Sequence, residues 1–231
     1  MLIGRPLRLD TIAWMAWLIP VLAVNGCYLL SASQDLVPWC FPYLEGCTSI
    51  SRAARQEPVL FLFRAVMLPY SGLLIVHWWL VANWLKVLTP AAVRRRQAML
   101  ALGVSAALFL ILYVSFLGVE GAIYQWLRRY GINLYFSFTV LAQILLMSML
   151  ARDERLPRWL RGSKVFLCTL MLGLGLLSLP LQYLVADRAA ALNALEWTFS
   201  LLMASYFPLT GLAWRQQQRP PPDASKTGGW K

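Results

Sequence analysis

At 231 residues, 59% of them hydrophobic and 13% charged, the chain lacks the charged surface of a soluble globular protein, which carries about 25% charged residues. A net charge of +11 raises nucleic acid as a partner, but the basic residues crowd the gaps between long apolar runs. The charge therefore reads as a topological signal, and no nucleic acid is expected.

Crossing a bilayer takes a helix of about 20 apolar residues. Such runs are read at 12–32, 58–85, 97–118, 132–151, 164–186 and 190–214. The expected fold is all-α: a polytopic membrane protein, a six-transmembrane-helix bundle forming one domain over 1–215, with a disordered cytoplasmic tail over 216–231.

Arg5 and Arg8 precede the first run, and Ser31-Ala32-Ser33 follows it. The run exceeds the 7–15 residues usual for the core of a signal peptide, so an uncleaved first helix is expected. Cleavage after this run, and lipidation at Val24-Asn25-Gly26-Cys27, are the other readings of the segment. The connection from Ser33 to Glu57 is the longest, and Pro38 and Pro42 shape it. Cys40 and Cys47 lie seven apart within it. On an oxidising outer side they suit a local disulfide, against the alternative of two free thiols. Cys27 and Cys168 fall inside runs and read as apolar packing residues.

Pro58 opens the second run and Pro69 is expected to kink it. Trp78, Trp79 and Trp84 read as an interfacial aromatic belt near its cytoplasmic end. The lone histidine, His77, is expected at that interface as a structural or headgroup contact. Between the third and fourth runs, Gly118 to Gly131 is an outside connection. Its segment 120–130 reads either as a short amphipathic helix on the membrane or as a plain loop. The turn at Asp187 and Arg188 makes the last two runs a tight hairpin.

If the six spans alternate, Arg5, Arg8, Lys86, Arg94 to Arg96, Arg152, Arg155, Arg158, Arg161, Lys164, Arg215, Arg219, Lys226 and Lys231 share one face, 15 of the 21 basic residues. That asymmetry predicts a multi-pass protein of the cell inner (plasma) membrane with both termini in the cytoplasm.

Ionisable groups inside a bilayer are functional candidates. Arg64 and Glu196 each lie about six residues inside the outer end of a span, roughly 9 Å deep. At equal depth they are expected to face the interior and lie close, either as a packing salt bridge or as part of an outward-facing pocket where Arg64 meets a lipid phosphate. Candidate neighbours at that depth are Glu57, Glu120, Asn133, Tyr135, Gln143 and Gln182. The ligand-binding set is thus Arg64, Glu196, Glu57, Tyr135, Gln143 and Gln182, and the partner is an anionic lipid headgroup or a membrane protein. Glu196 and Glu120 are the weak catalytic candidates. One histidine and no Cys/His cluster argue against a metal, and no nucleotide motif or cofactor signature is present.

The stretch Cys40-Phe-Pro-Tyr-Leu-Glu-Gly-Cys-Thr-Ser-Ile-Ser-Arg52, then Glu57-Pro-Val-Leu-Phe-Leu-Phe-Arg64, resembles the Frag1/DRAM/Sfk1 family. So do the six-run layout and Glu196-Trp197 near the start of the last run. Leu44-Glu45 departs from the family's Ile-Ser step, for which Ile50-Ser51 is the other counterpart. The resemblance implies a lipid-related role at the non-cytoplasmic leaflet, in a bacterial member without GPI anchors, and no defined reaction. The leading expectation is a binding or regulatory membrane protein with a polar pocket facing outward. A lipid-remodelling enzyme, by acyl or headgroup transfer, and a small transporter are the alternatives.

Overall fold

The computed structural model describes residues 8–151, 153–184 and 187–218. These form helices α1 (Leu9–Ser33), α2 (Pro42–Glu45), α3 (Ile50–Ala54), α4 (Val59–Leu88), α5 (Val93–Phe116), α6 (Ala122–Leu150), α7 (Arg158–Leu184) and α8 (Arg188–Gln218). No strand occurs among the described residues. In α1, α4, α5, α6 and the Arg158–Ser178 part of α7, length and apolar composition suffice to cross a membrane, and on that ground this is a multi-pass membrane protein. The last helix, α8, is long but interleaves Asn193, Glu196, Thr198, Ser200 and Ser205 with its apolar residues, and is not among those five.

The long helices pack as a ring in the order α6, α5, α4, α1, α8, α7. The α5–α6 seam is the most extensive, and the ring is loosest where α6 faces α7 and α8. Small residues set the close seams, as they must where lipid gives helices no hydrophobic reason to associate. A Cβ on Gly131 would stand 3.3 Å from the Phe109 carbonyl oxygen and from Tyr113, so glycine lets α6 lie against α5. A Cβ on Gly103 would fall 2.3 Å from the Trp78 ring, whose indole fills the space that glycine leaves.

Three expectations are corrected here. The 120–130 segment is neither a separate surface helix nor a loop: α6 runs unbroken from Ala122. Gly131 reads as a break in sequence but is a packing position in space. His77 and Trp78 do not face outward as a headgroup contact and a belt ring. Both are buried, and the His77 ring stacks edge-on against Trp78 and Phe207 at centroid distances of 5.3 and 5.0 Å. Neighbouring helix positions point about 100° apart, so Trp79 alone of this group faces outward, at 56% exposure. Lys164, assigned by sequence to the basic surface, is buried. Its ammonium donates to Thr210 Oγ1 (2.9 Å) and sits 4.0 Å from the Tyr206 ring centroid.

Hydrogen bonds identify the two ends of the bundle. At one end Asp10, buried at the start of α1, accepts from Arg8 (3.2 Å) and from Arg215 of α8 (2.7 Å). The Trp84 indole N–H donates to Gln217 (2.9 Å), and Gln217 donates to Asp153 in the α6–α7 turn. This basic end therefore ties together α1, α4, α6 and α8. The opposite, loop end carries the 34–58 connection.

Candidate functional site

The loop end is built by short-range chemistry first. Pro42 starts α2, and Gly46, at φ +60°, ends it in the left-handed conformation that glycine adopts without strain. Ser49 caps α3 by accepting from the Arg52 N–H at 3.1 Å. Cys40 and Cys47 are joined by a disulfide. From α1, the Tyr28 hydroxyl bonds both the N–H and the carbonyl of Cys40 at 2.8 Å, Ser31 donates to the Ala53 carbonyl (2.6 Å), and Asn25 donates to the Tyr43 hydroxyl (3.0 Å). From α8, Asn193 donates to the Gly46 carbonyl (2.9 Å) and the buried Trp197 indole N–H to the Thr48 carbonyl (2.9 Å). The Trp197 ring also meets Tyr28 and Tyr43 edge-on. The connection is thus an ordered lid fixed to the first and last helices.

Beneath this lid lie two cavities that share Ile132, Phe136 and Glu196 in their walls. The inner one is narrow, about 50 Å³, and lined by aromatic rings including Tyr43, Tyr70, Tyr113 and Tyr135. The other is a cleft of about 550 Å³ between α6, α7 and α8, at the loosest part of the ring. Its polar lining is Ser51, Asn133, Ser137, Ser178 and Glu196, and Leu174, Leu192, Leu195 and Phe199 are among its apolar walls. Glu196 stands on the partition between the two cavities, against the backbone of Ser51. No side chain among the described residues pairs with its carboxylate, and no basic side chain lines either cavity.

The expected pairing of Arg64 with Glu196 does not occur. The Arg64 guanidinium reaches α5 instead, donating to the carbonyls of Leu117 (2.6 Å), Ser115 (3.1 Å) and, at greater length, Val114 (3.4 Å). Arg128 donates to the carbonyls of Phe116 and Val119 from α6. The last carbonyls of a helix have no partner inside it, and they carry the negative end of its dipole. Two guanidiniums supply both hydrogen bonds and charge there. Counting along the helix placed Arg64 near the loop end of α4, as observed, but an unsatisfied helix terminus lay nearer than a carboxylate.

Of the other sequence candidates, Tyr135 is buried in the wall of the narrow cavity and Asn133 lines the cleft. Glu57 and Glu120 are exposed and line neither cavity. Gln143 is buried as a tie between helices: its amide donates to the Met203 carbonyl (3.0 Å), and Tyr206 donates to the Gln143 carbonyl (2.9 Å). The side chain of Gln182 lies outside the described residues, as does the tail from 219. Sequence reasoning missed Ser51, Ser137, Ser178, Tyr43 and Tyr113 as wall residues. Ser137 and Asn133 stand four apart on α6, a spacing that shares a helix face, and this was the one local signal available. His, Cys, Asp and Glu residues do not gather into any metal-holding group among the described residues. Compared with protein-family models, with curated proteins and with solved structures, the chain matches none.

Proposed function

We propose that the chain is a six-span protein of the inner (plasma) membrane with both termini in the cytoplasm, and that it binds a membrane lipid through the cleft at its loop end, in a binding or regulatory role. Orientation is supported by charge: Arg8, Lys86, Arg94 to Arg96, Arg155, Arg158, Arg161 and Arg215 lie in or beside the basic end, as the positive-inside rule requires of a cytoplasmic face. The count of six is supported by α8, which closes the ring between α1 and α7 and is long enough to span. The resemblance of residues 40–64 to the Frag1/DRAM/Sfk1 family points to the same class of role and belongs to this proposal.

The observation that carries the lipid reading is the cleft itself. It combines apolar walls from three helices with one carboxylate, one amide and three hydroxyls, and it reaches the surface of the bundle at Gly175 and Leu192. A few polar groups set in an apolar concavity are the usual form of a small-molecule site, and apolar walls opening toward a bilayer suit an amphiphile. Binding is favoured over lipid-remodelling chemistry. A nucleophile needs an activating base within hydrogen-bond reach, whereas Ser51 Oγ is held 2.8 Å from the Tyr113 hydroxyl. The one histidine is sealed between Trp78 and Phe207.

Native mass spectrometry of the purified protein tests the proposal. The wild type is expected to retain a lipid that Ser178→Phe, which fills the cleft from α7, releases while still folding. A wild type that carries no lipid, or a variant that keeps the full complement, would overturn it.

A further inference from the structure

We infer that the polar group recognised at this site is an ammonium, so that the ligand is an amine-bearing amphiphile, not one recognised through phosphate alone. The inference rests on the lipid-binding reading and specifies its chemistry. Two of the cations near the loop end, Arg64 and Arg128, have their guanidiniums directed at the carbonyls closing α5. Neither borders the cleft or the narrow cavity, nor does any other basic side chain among the described residues. A phosphate in this cleft would meet only neutral donors and would share the space with a carboxylate.

An ammonium meets the opposite situation. Glu196 is a carboxylate without a side-chain partner on the wall between the cleft and the narrow cavity. Leaving such a charge uncompensated inside a bundle is unfavourable, and a cation at hydrogen-bond distance removes the penalty. Behind Glu196 the narrow cavity is lined by the rings of Tyr43, Tyr70, Tyr113 and Tyr135. Aromatic faces attract cations through their quadrupole, most strongly where water is excluded. Its 50 Å³ holds a few water-sized groups, each needing about 10–15 Å³. That space suits the end of an ethanolammonium group and not a bulky headgroup. Asn133 and Ser137 stand in the cleft wall with no side-chain hydrogen bond among the described residues, available to the neutral oxygens of a linking ester. Acyl chains would then lie along Leu174, Leu192 and Leu195.

The test is lipid retention by native mass spectrometry after adding defined lipids to delipidated full-length protein. Phosphatidylethanolamine carries the ammonium, and phosphatidylglycerol has the same phosphodiester without it. The wild type is expected to retain phosphatidylethanolamine at least tenfold better. Glu196→Gln, which keeps shape but removes charge, is expected to abolish that preference, and Glu196→Asp to restore part of it. Equal retention of the two lipids by the wild type, or an unchanged preference in Glu196→Gln, would overturn the ammonium inference while leaving lipid binding in place. Retention of neither lipid would overturn both. Ethanolammonium chloride added alone separates the two sources of the same chemistry: a bound adduct that needs Glu196 assigns a soluble amine, and binding only of the acylated form assigns the lipid.

Discussion

Replacing Arg64 by alanine separates a helix cap from a phosphate site. The side chain makes two hydrogen bonds of good length, to the carbonyls of Leu117 and Ser115, and one long contact to Val114. Hydrogen bonds to charged groups contribute about 1.5–3 kcal/mol each, so the two good ones amount to about 3–6 kcal/mol gross. Arg64 is only partly buried, and water would solvate some of the freed carbonyl surface. Arg128 would still hold Phe116 and Val119. The net loss is expected to be about 2–4 kcal/mol. Arg64→Lys should recover roughly half, because an ammonium is a point charge without the planar fork that spans several carbonyls. Equilibrium unfolding in mixed micelles, followed by far-ultraviolet circular dichroism, measures both variants, and native mass spectrometry measures lipid retention beside them. A loss below about 0.5 kcal/mol, the range of ordinary surface substitutions, would refute the capping role. A folded Arg64→Ala protein that no longer holds lipid would return Arg64 to the binding site.

Gly103→Ala should cost about 1–3 kcal/mol by overpacking, because the new methyl would meet the buried Trp78 ring at 2.3 Å and the indole must move; the same unfolding assay reads it, and Trp78 fluorescence should shift with it. Gly46→Ala combines a left-handed backbone with a Cβ 1.8 Å from the Ala190 carbonyl oxygen, so the lid should lift from α8, visible as faster proteolysis within 34–58 and as loss of lipid. For Lys164, methionine should be neutral or stabilising, since it fills similar volume without a buried charge, whereas Thr210→Val removes the amine's hydrogen-bond partner and should cost about 1–3 kcal/mol. Greater destabilisation by Lys164→Met than by Thr210→Val, measured by unfolding, would mean that the ammonium is required for more than packing.

Element existence was largely legible in the chain, because a bilayer demands long apolar runs and these stand out at any register. Five of the six runs coincide with helices apolar enough to span, and α8 was found by length, though polar residues dilute it. Boundaries and faces were less legible. Gly131 looks like punctuation until Tyr113 is seen packed against it, and His77 looks interfacial when only its distance along α4 is counted. A one-dimensional depth argument fixes height in the membrane but not azimuth around the helix. Arg64 and Glu196 both lie toward the loop end of their helices and face different neighbours, the end of α5 for one and the α6–α7–α8 cleft for the other. The aromatic lining was illegible for a related reason: Tyr43, Tyr70, Tyr113 and Tyr135 come from four separate elements, and nothing local in the chain announces that they converge.

The lid receives its α8 partners late. Asn193, Trp197 and Thr198 bond to Gly46, Thr48 and Tyr43 across separations of 147, 149 and 155 residues. During synthesis at about 5–20 residues per second, the lid would wait many seconds before α8 arrives. A nascent chain halted before α8 would display Trp39, Phe41 and Leu44, already exposed in the finished protein, together with the Tyr28 and Tyr43 faces that Trp197 otherwise covers. Arrival of the last helix therefore covers these rings, and a protease or chaperone that reads apolar side chains would meet a different lid on a finished copy than on an interrupted one.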